Sequence, residues 1–400
     1  MKFRPIQRLA FLASLLTLMN VAVAQSTPNL RIGLITPLTG PSADFGVPMA
    51  NGAKLAVEEI NAAGGYLGRP LELVIRDDTG NPDVGLKVSQ ELIKEQVIAT
   101  VGFCNTGVAM KSLAVFQAAN SPLIVPCATG TPITTQYPAP ESYIFRTSAS
   151  DAIQAPFVVE DIVARGWTRV AIFADKTGYG EAGLQDVVKA LAAKNVKPVY
   201  IARFDLGVKD LRAELKEAQA ANANVIFSYT VGPELATIAR GRSDLKWAVP
   251  QVGAWTLSFP SFIEGSKGAA EGALTAQTFI AEPSNERRSS FLSAYARKYK
   301  TKNMGVPMAA AQSYDAIYLL AYSLLGIRNG DLSGPSVKQA LETMPKVYYG
   351  VTATHEHPFS KNDKEAVTSN MLVMGVIKNG AITFAYQEDR TRNLFVQRKR

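Results

Sequence analysis

From Leu30 onward, short β-branched apolar runs alternate with longer stretches in which apolar residues recur every three or four positions. Residues 30–35 read as a strand. In 47–63, Met49, Ala53, Ala56, Val57 and Ile60 share one face, the spacing of an amphipathic helix. Gly64-Gly65 ends it, since glycine accepts the left-handed turn at a helix terminus. The pattern continues with strand 71–76, helix 84–94, strand 98–102, helix 108–119 and strand 123–126, the βαβ rhythm of a doubly wound parallel sheet. The proline- and threonine-rich stretch 129–140 reads as loop, and 143–146 as a crossing strand. A second series then runs through helix 154–165, strand 169–174, helix 181–194, strand 198–203, helix 209–220, strand 225–229, helix 233–241 and strand 249–253. Two such series predict an α/β protein of two Rossmann-like lobes.

After a strand at 272–279, helices are expected at 286–300, 307–327 and 335–342. Strands at 371–377 and 382–386 flank Lys378-Asn379-Gly380, and Asn-Gly between strands is a strong hairpin signal. The late helices are expected to return to the first lobe and the hairpin to the second. That gives lobes of 29–147 plus 279–354 and 148–278 plus 355–400, joined by a hinge of three segments near 146–148, 277–279 and 351–356.

The N-terminus changes the picture. Lys2, Arg4 and Arg8 precede a mostly apolar run, 9–23, and Ala22-Val23-Ala24 is a small-x-small cleavage pattern. This reads as a secretory signal peptide cut after Ala24, the run being shorter than the roughly 20 residues a membrane span needs. No cysteine lies near the cut, so a soluble mature protein is expected. The leader's three cations belong to a formal charge of +8. The remaining basic residues are scattered apart from the terminal Arg398-Lys399-Arg400, and nucleic-acid motifs are absent. Cys104 and Cys127 each end an apolar run. In an exported chain they form either one disulfide or two buried thiols.

Candidate chemistry sits where strands end, because ligands of open α/β sheets bind beyond the carboxyl ends of strands, near helix amino termini whose N–H groups are unpaired. There the chain reads Cys104-Asn105-Thr106-Gly107, Cys127-Ala128-Thr129-Gly130, Asp175-Lys176-Thr177-Gly178-Tyr179-Gly180, Tyr229-Thr230-Val231-Gly232-Pro233-Glu234 and Gly253-Ala254-Trp255-Thr256. Each alone also suits a plain βα turn. Hydrolase, metalloprotease and phosphate-loop motifs are absent, so an enzyme is not expected. His355 and His357 would share one face of a strand, yet two ligands rarely make a metal site, and a loop ended by Pro358 is the expected alternative.

The chain from Asn29 resembles the Leu/Ile/Val-binding family of type I periplasmic solute-binding proteins of ABC transporters. Ile32-Gly33-Leu34-Ile35-Thr36-Pro37-Leu38-Thr39-Gly40-Pro41, Glu58-Glu59-Ile60-Asn61-Ala62-Ala63-Gly64-Gly65, Arg76-Asp77-Asp78, Ala128-Thr129 and Asp175–Gly180 carry the resemblance. It implies a periplasmic monomer with no cofactor, closing about its hinge on a small ligand and serving membrane permease and ATPase subunits. The implied ligand contacts are Phe45, Asn105 or Thr106, Cys127, Ala128 and Thr129 from the first lobe. From the second they are Tyr179, Thr230 and Trp255. Amino-acid-binding members of the family place an acid in the turn that here holds Trp255. A branched-chain or similar apolar amino acid is therefore the family-level expectation, with Glu234 of the neighbouring turn as substitute acid or merely a helix cap. A small organic carboxylate without an ammonium, aromatic ones included, is the alternative. From another class, the same fold serves as the ligand-sensing partner of a membrane receptor.

Overall fold

The computed structural model describes residues 28–391. The expected leader and the basic tail lie outside them. The first series forms β1 (Leu30–Thr36), α1 (Ala43–Ala62), β2 (Leu71–Asp77), α2 (Pro82–Lys94), β3 (Thr100–Gly102), α3 (Thr106–Ala118), β4 (Leu123–Val125) and β5 (Ile144–Arg146). Strands β1, β3, β4 and β5 are almost wholly buried because helices cover both sheet faces, which is why they read as unbroken apolar runs. Helix α1 starts earlier than its periodicity because Gly40, at φ +81°, turns the chain just ahead of Pro41. Helix α2 opens on Pro82, and the Asn81 side chain accepts from the N–H groups of Asp83 and Val84.

The second series forms α4 (Asp151–Ala164), β6 (Val170–Asp175), α5 (Gly178–Ala193), β7 (Tyr200–Phe204), α6 (Arg212–Ala220), β8 (Val225–Tyr229), α7 (Glu234–Asp244), β9 (Gln251–Gly253) and β10 (Leu274–Gln277). The first sheet has the order β2-β1-β3-β4-β5, all parallel; the second runs β7-β6-β8-β9-β10, the same topology repeated. Both therefore reverse strand order at an equivalent point, the place where such sheets leave a crevice. The 143–146 stretch is not a free crossing strand: β5 pairs with β4 as the first sheet's last parallel strand.

The remaining elements are α8 (Glu286–Tyr299), α9 (Pro307–Leu324), α10 (Gly334–Glu342), β11 (Tyr348–Tyr349), β12 (Thr354–His355), β13 (Val373–Lys378) and β14 (Ala381–Phe384). Helix α9 packs on α1 almost backbone to backbone. A β-carbon on Gly52 would lie 2.0 Å from the Ala310 carbonyl, and Ser313 Oγ donates to Met49 O at 2.6 Å. Helix α8 reaches the same face, where Tyr299 donates to Asn51 O at 2.8 Å. Strands β13 and β14 extend the second sheet antiparallel to β10 and to each other, with Asn379 and Gly380 both at positive φ in the expected two-residue turn.

Past β12 the chain still follows the first sheet. Arg146 N donates to Lys364 O at 2.8 Å and Ala366 N to Arg146 O at 2.9 Å, so 364–366 line the free edge of β5. The third passage toward the second sheet thus comes after Ala366, later than 351–356. His355 and His357 do not share a strand face. Strand β12 stops at His355, which is buried and stacked on Tyr348, whereas His357 turns outward at φ +52°. Cys104 and Cys127 are neighbouring free thiols, both buried, with Cys104 Sγ 3.4 Å from Met49 Sδ. Among the described residues no helix is long and apolar enough to cross a membrane.

Candidate functional site

The carboxyl ends of the two sheets face each other across a cleft of about 700 Å³. Turns following β1, β2, β3 and β4 line one side, and turns following β6, β7, β8 and β9 the other.

On the first side the helix amino terminus dominates. Asn105 is the N-cap of α3, but its side chain does not cap the helix. Its Nδ2 donates to Ser42 Oγ at 3.0 Å, and its buried Oδ1 has no partner. The first intrahelical bond is Ala109 N to Asn105 O. The N–H groups of Thr106, Gly107 and Val108, all lining the cleft, therefore have no acceptor within the helix and carry its partial positive charge. Thr106 Oγ1 accepts from Gly130 N at 3.2 Å, which ties the β3 turn to the β4 turn. Arg146, buried beneath, donates to the carbonyls of Thr129 (2.9 Å) and Gly130 (2.7 Å) and is paired with Glu365, so its charge braces the turn rather than facing the cleft. Thr129 lines the cleft beside the wholly buried Asp151, whose carboxyl is pushed up to about 7 by burial, with Tyr229, Thr129 and Arg146 only partly opposing.

The second side is aromatic. Trp255 sits in a 3-10 turn, Trp255–Ser258, with its backbone N–H held by Gln154 Oε1 at 3.1 Å and its buried Nε1 unpaired. It meets Phe259 edge-on at 4.9 Å, and Phe259 meets Phe45 of the opposite side at 5.1 Å. Tyr179, at the start of α5, packs on Tyr229 at 4.9 Å. Thr177 caps α5 by accepting from the N–H groups of Tyr179 and Gly180. The two sides touch elsewhere too: Thr131 Oγ1 donates to Asp186 Oδ2 at 2.6 Å, and Gly178 lies against Gly107. This is a closed arrangement.

Of the residues singled out from sequence, Phe45, Asn105, Thr106, Thr129, Tyr179 and Trp255 line the cleft together. Cys127, Ala128 and Thr230 do not. Cys127 lies behind Cys104, which takes the lining position, and Ala128 N is spent on Phe103 O. Thr230 is fully buried while its neighbours Val231 and Gly232 face the cleft. Sequence reasoning missed Ser42, Phe259 and the Leu206–Lys209 turn; the last follows β7, so the rule about strand ends already pointed to it. Glu234 does not cap its own helix. Its Oε1 accepts from Gly207 N at 2.7 Å.

The unpaired amino terminus of α3 and the aromatic wall thus face one cleft at the carboxyl ends of two sheets of the same topology. Residues 29–381 match the family model described as periplasmic binding protein. The chain belongs to the periplasmic binding protein family. Within it, the chain is similar to Leu/Ile/Val-binding protein homolog 3 of Brucella melitensis, 34% identical over 202 residues, which cover 50% of this chain and 54%, about half, of that relative. It is also similar to Leu/Ile/Val-binding protein BraC3 of Rhizobium johnstonii, 30% identical over 294 residues, covering 73% of this chain and 78% of that one. Among solved structures, a periplasmic binding protein type 1 of Bordetella pertussis superposes with a TM-score of 0.80 at 24% identity, covering 89% of this chain and 99% of the other. That likeness establishes the two-lobed type I fold. Periplasmic binding proteins of this kind are extracytoplasmic substrate-binding proteins, not enzymes.

Proposed function

We propose that this periplasmic binding protein is the capturing component of an ABC importer. It takes a branched-chain or similar apolar amino acid and hands it, as a monomer, to permease and ATPase subunits. The leader would be removed after Ala24, and the mature chain would work in the periplasm. The lobes are assigned as 28–146 plus 281–366 and 151–277 plus 371–391, hinged at the three passages between them.

One observation carries this reading. The unpaired amino end of α3 and the aromatic wall of Phe45, Tyr179 and Trp255 face one enclosed cleft formed by both lobes. The helix end, with Asn105 and Thr129, suits a carboxylate, and the rings suit an apolar side chain. A ligand bridging both sides binds the closed form better than the open one, and that difference is what closes the hinge.

The unpaired Trp255 Nε1 favours a second reading. The turn after β9 offers a donor and a ring face, so an aromatic carboxylate without an ammonium also suits this side of the cleft. Calorimetry on unfolded and refolded, ligand-free protein separates the two. Saturable 1:1 binding of leucine, isoleucine or valine is expected. Binding of benzoate alone moves the assignment to the second reading, and no binding of either class refutes both.

A further inference from the structure

We infer that Met49, Cys104 and Cys127 form a site for a soft monovalent cation of the Cu(I) class, set behind the first-lobe wall of the cleft.

The three sulfurs come from three elements. Met49 lies on α1, Cys104 follows β3 and Cys127 follows β4. Strands β3 and β4 are parallel, with Val101 opposite Ile124. The same register, continued past the strand ends, brings Cys104 opposite Cys127. Burial, and then Cys104 beside it, pushes the Cys127 thiol well up. Cys104 Sγ lies 3.4 Å from Met49 Sδ. Met49 and Cys127 are 0% exposed and Cys104 4%, so water does not compete for the sulfurs. Neither cysteine is spent in a disulfide. The frame is rigid: Met49 O accepts from Ser313 Oγ of α9 at 2.6 Å, and Thr36, 3.6 Å from Cys104 Sγ, donates its hydroxyl to Gly46 O at 3.1 Å.

The donor set selects the ion. Two thiolates and a thioether are all soft, and such sulfur sets favour Cu(I) over harder ions. Zinc takes four ligands, and among the described residues no group of three or more His, Cys, Asp or Glu side chains is placed to supply them. The third sulfur also sets the cluster apart from a cysteine pair that can only oxidise. On binding, both thiols release their protons, and two thiolates with one Cu(I) leave one negative charge. Cys104 directly precedes Asn105, the N-cap of α3, so the partial positive charge of that helix end lies beside it. Cys104 lines the cleft, which gives the ion its way in when the lobes are apart.

The test titrates the reduced protein, without air, with the Cu(I) complex of bicinchoninate, and counts copper per chain by native mass spectrometry. Wild type is expected to withdraw one copper ion from the chelator. Cys127→Ala should leave the ion with the chelator. Met49→Leu conserves volume and removes only the thioether, a swap that cores tolerate; it should keep the ion with affinity lower by at least roughly tenfold. Thermal unfolding of the metal-free variants checks that the core survives. X-ray absorption on loaded wild type, which needs no variant, should show sulfur neighbours alone. Wild type that withdraws no copper, Cys127→Ala that withdraws it equally, Met49→Leu with unchanged affinity, or a shell of nitrogen or oxygen neighbours each overturns the site. None of these results is read through solute binding, so solute capture stands or falls separately.

Discussion

Two glycines set how closely the lobes approach. A β-carbon on Gly178 would lie 3.2 Å from Gly107 Cα and 3.4 Å from Gly107 N, and its next contact, Thr106 C at 4.0 Å, is also across the cleft. All three of its nearest atoms belong to the other lobe, so a side chain there obstructs the closed form. One added carbon demands a shift of a few tenths of an ångström, and valine adds two further methyls at the same close approach. Overpacking of this kind costs about 1–3 kcal/mol. Borne by the closed form alone, it lowers the closed fraction, and raises the apparent Kd, by roughly 5- to 150-fold. Gly178→Val should therefore bind weakly yet unfold, when empty, at the wild-type temperature. Gly180→Ala is the contrast: its β-carbon would lie 2.1 Å from the Asp175 carbonyl within the same lobe, so it should lower stability itself. Calorimetry gives the affinities, and X-ray scattering at saturating ligand reports compaction. A Gly178→Val protein that binds and compacts like wild type would refute closure through this contact.

Other consequences are as direct. Of the three tryptophans, Trp255 lines the cleft and Trp247 lies in the second-lobe core. Ligand-dependent emission should vanish in Trp255→Phe and persist in Trp247→Phe and Trp167→Phe; persistence in Trp255→Phe contradicts its placement. Glu365→Ala strips the carboxylate from an Arg146 side chain that is 1% exposed. Breaking such a buried pair should cost about 3 kcal/mol in urea unfolding, and a loss below about 1 kcal/mol would show that the Thr129 and Gly130 carbonyls suffice. Burial pushes the Asp78 carboxyl up to about 7, against the pull of the Gly80 N–H and with Asp77 adding to the rise. The folded chain thus keeps a proton that the unfolded chain releases near 3.8, so stability falls as pH rises from about 4 to about 7 and then levels. Asp78→Asn, which retains the acceptor for Gly80, should show a shallower fall and exceed wild type at pH 8. Part of the slope remains because Asp151 is raised in the same way. Parallel curves for the two proteins would contradict this.

The fold was legible where burial imposes a period. Strand Val225–Tyr229 is buried at every position and reads as an unbroken apolar run. Helix α2 carries both its cap and its stripe in sequence. Four-residue elements such as Trp255–Ser258 and Pro260–Ile263 are too short to show a period. The run 364–366 joins the edge of the first sheet through backbone hydrogen bonds and the Glu365–Arg146 ion pair, with no apolar alternation, so Lys364-Glu365-Ala366 gives no strand signal. At the site, the rule of strand ends located the turns, but not which residue of a turn faces inward. Val231 rather than Thr230 and Cys104 rather than Cys127 line the cleft, because that choice depends on local backbone angles. The aim of Glu234 depends on the amide of Gly207, in a turn remote in sequence.

Capture of one small zwitterion between the lobes is tested most directly by native mass spectrometry of the mature protein released gently from the exported fraction. A single small-molecule adduct per chain is predicted, carrying both a carboxylate and an amine and lost on unfolding, with leucine, isoleucine or valine restoring it to the refolded protein. A chain that emerges empty and stays empty through the branched-chain amino acids and benzoate would contradict it.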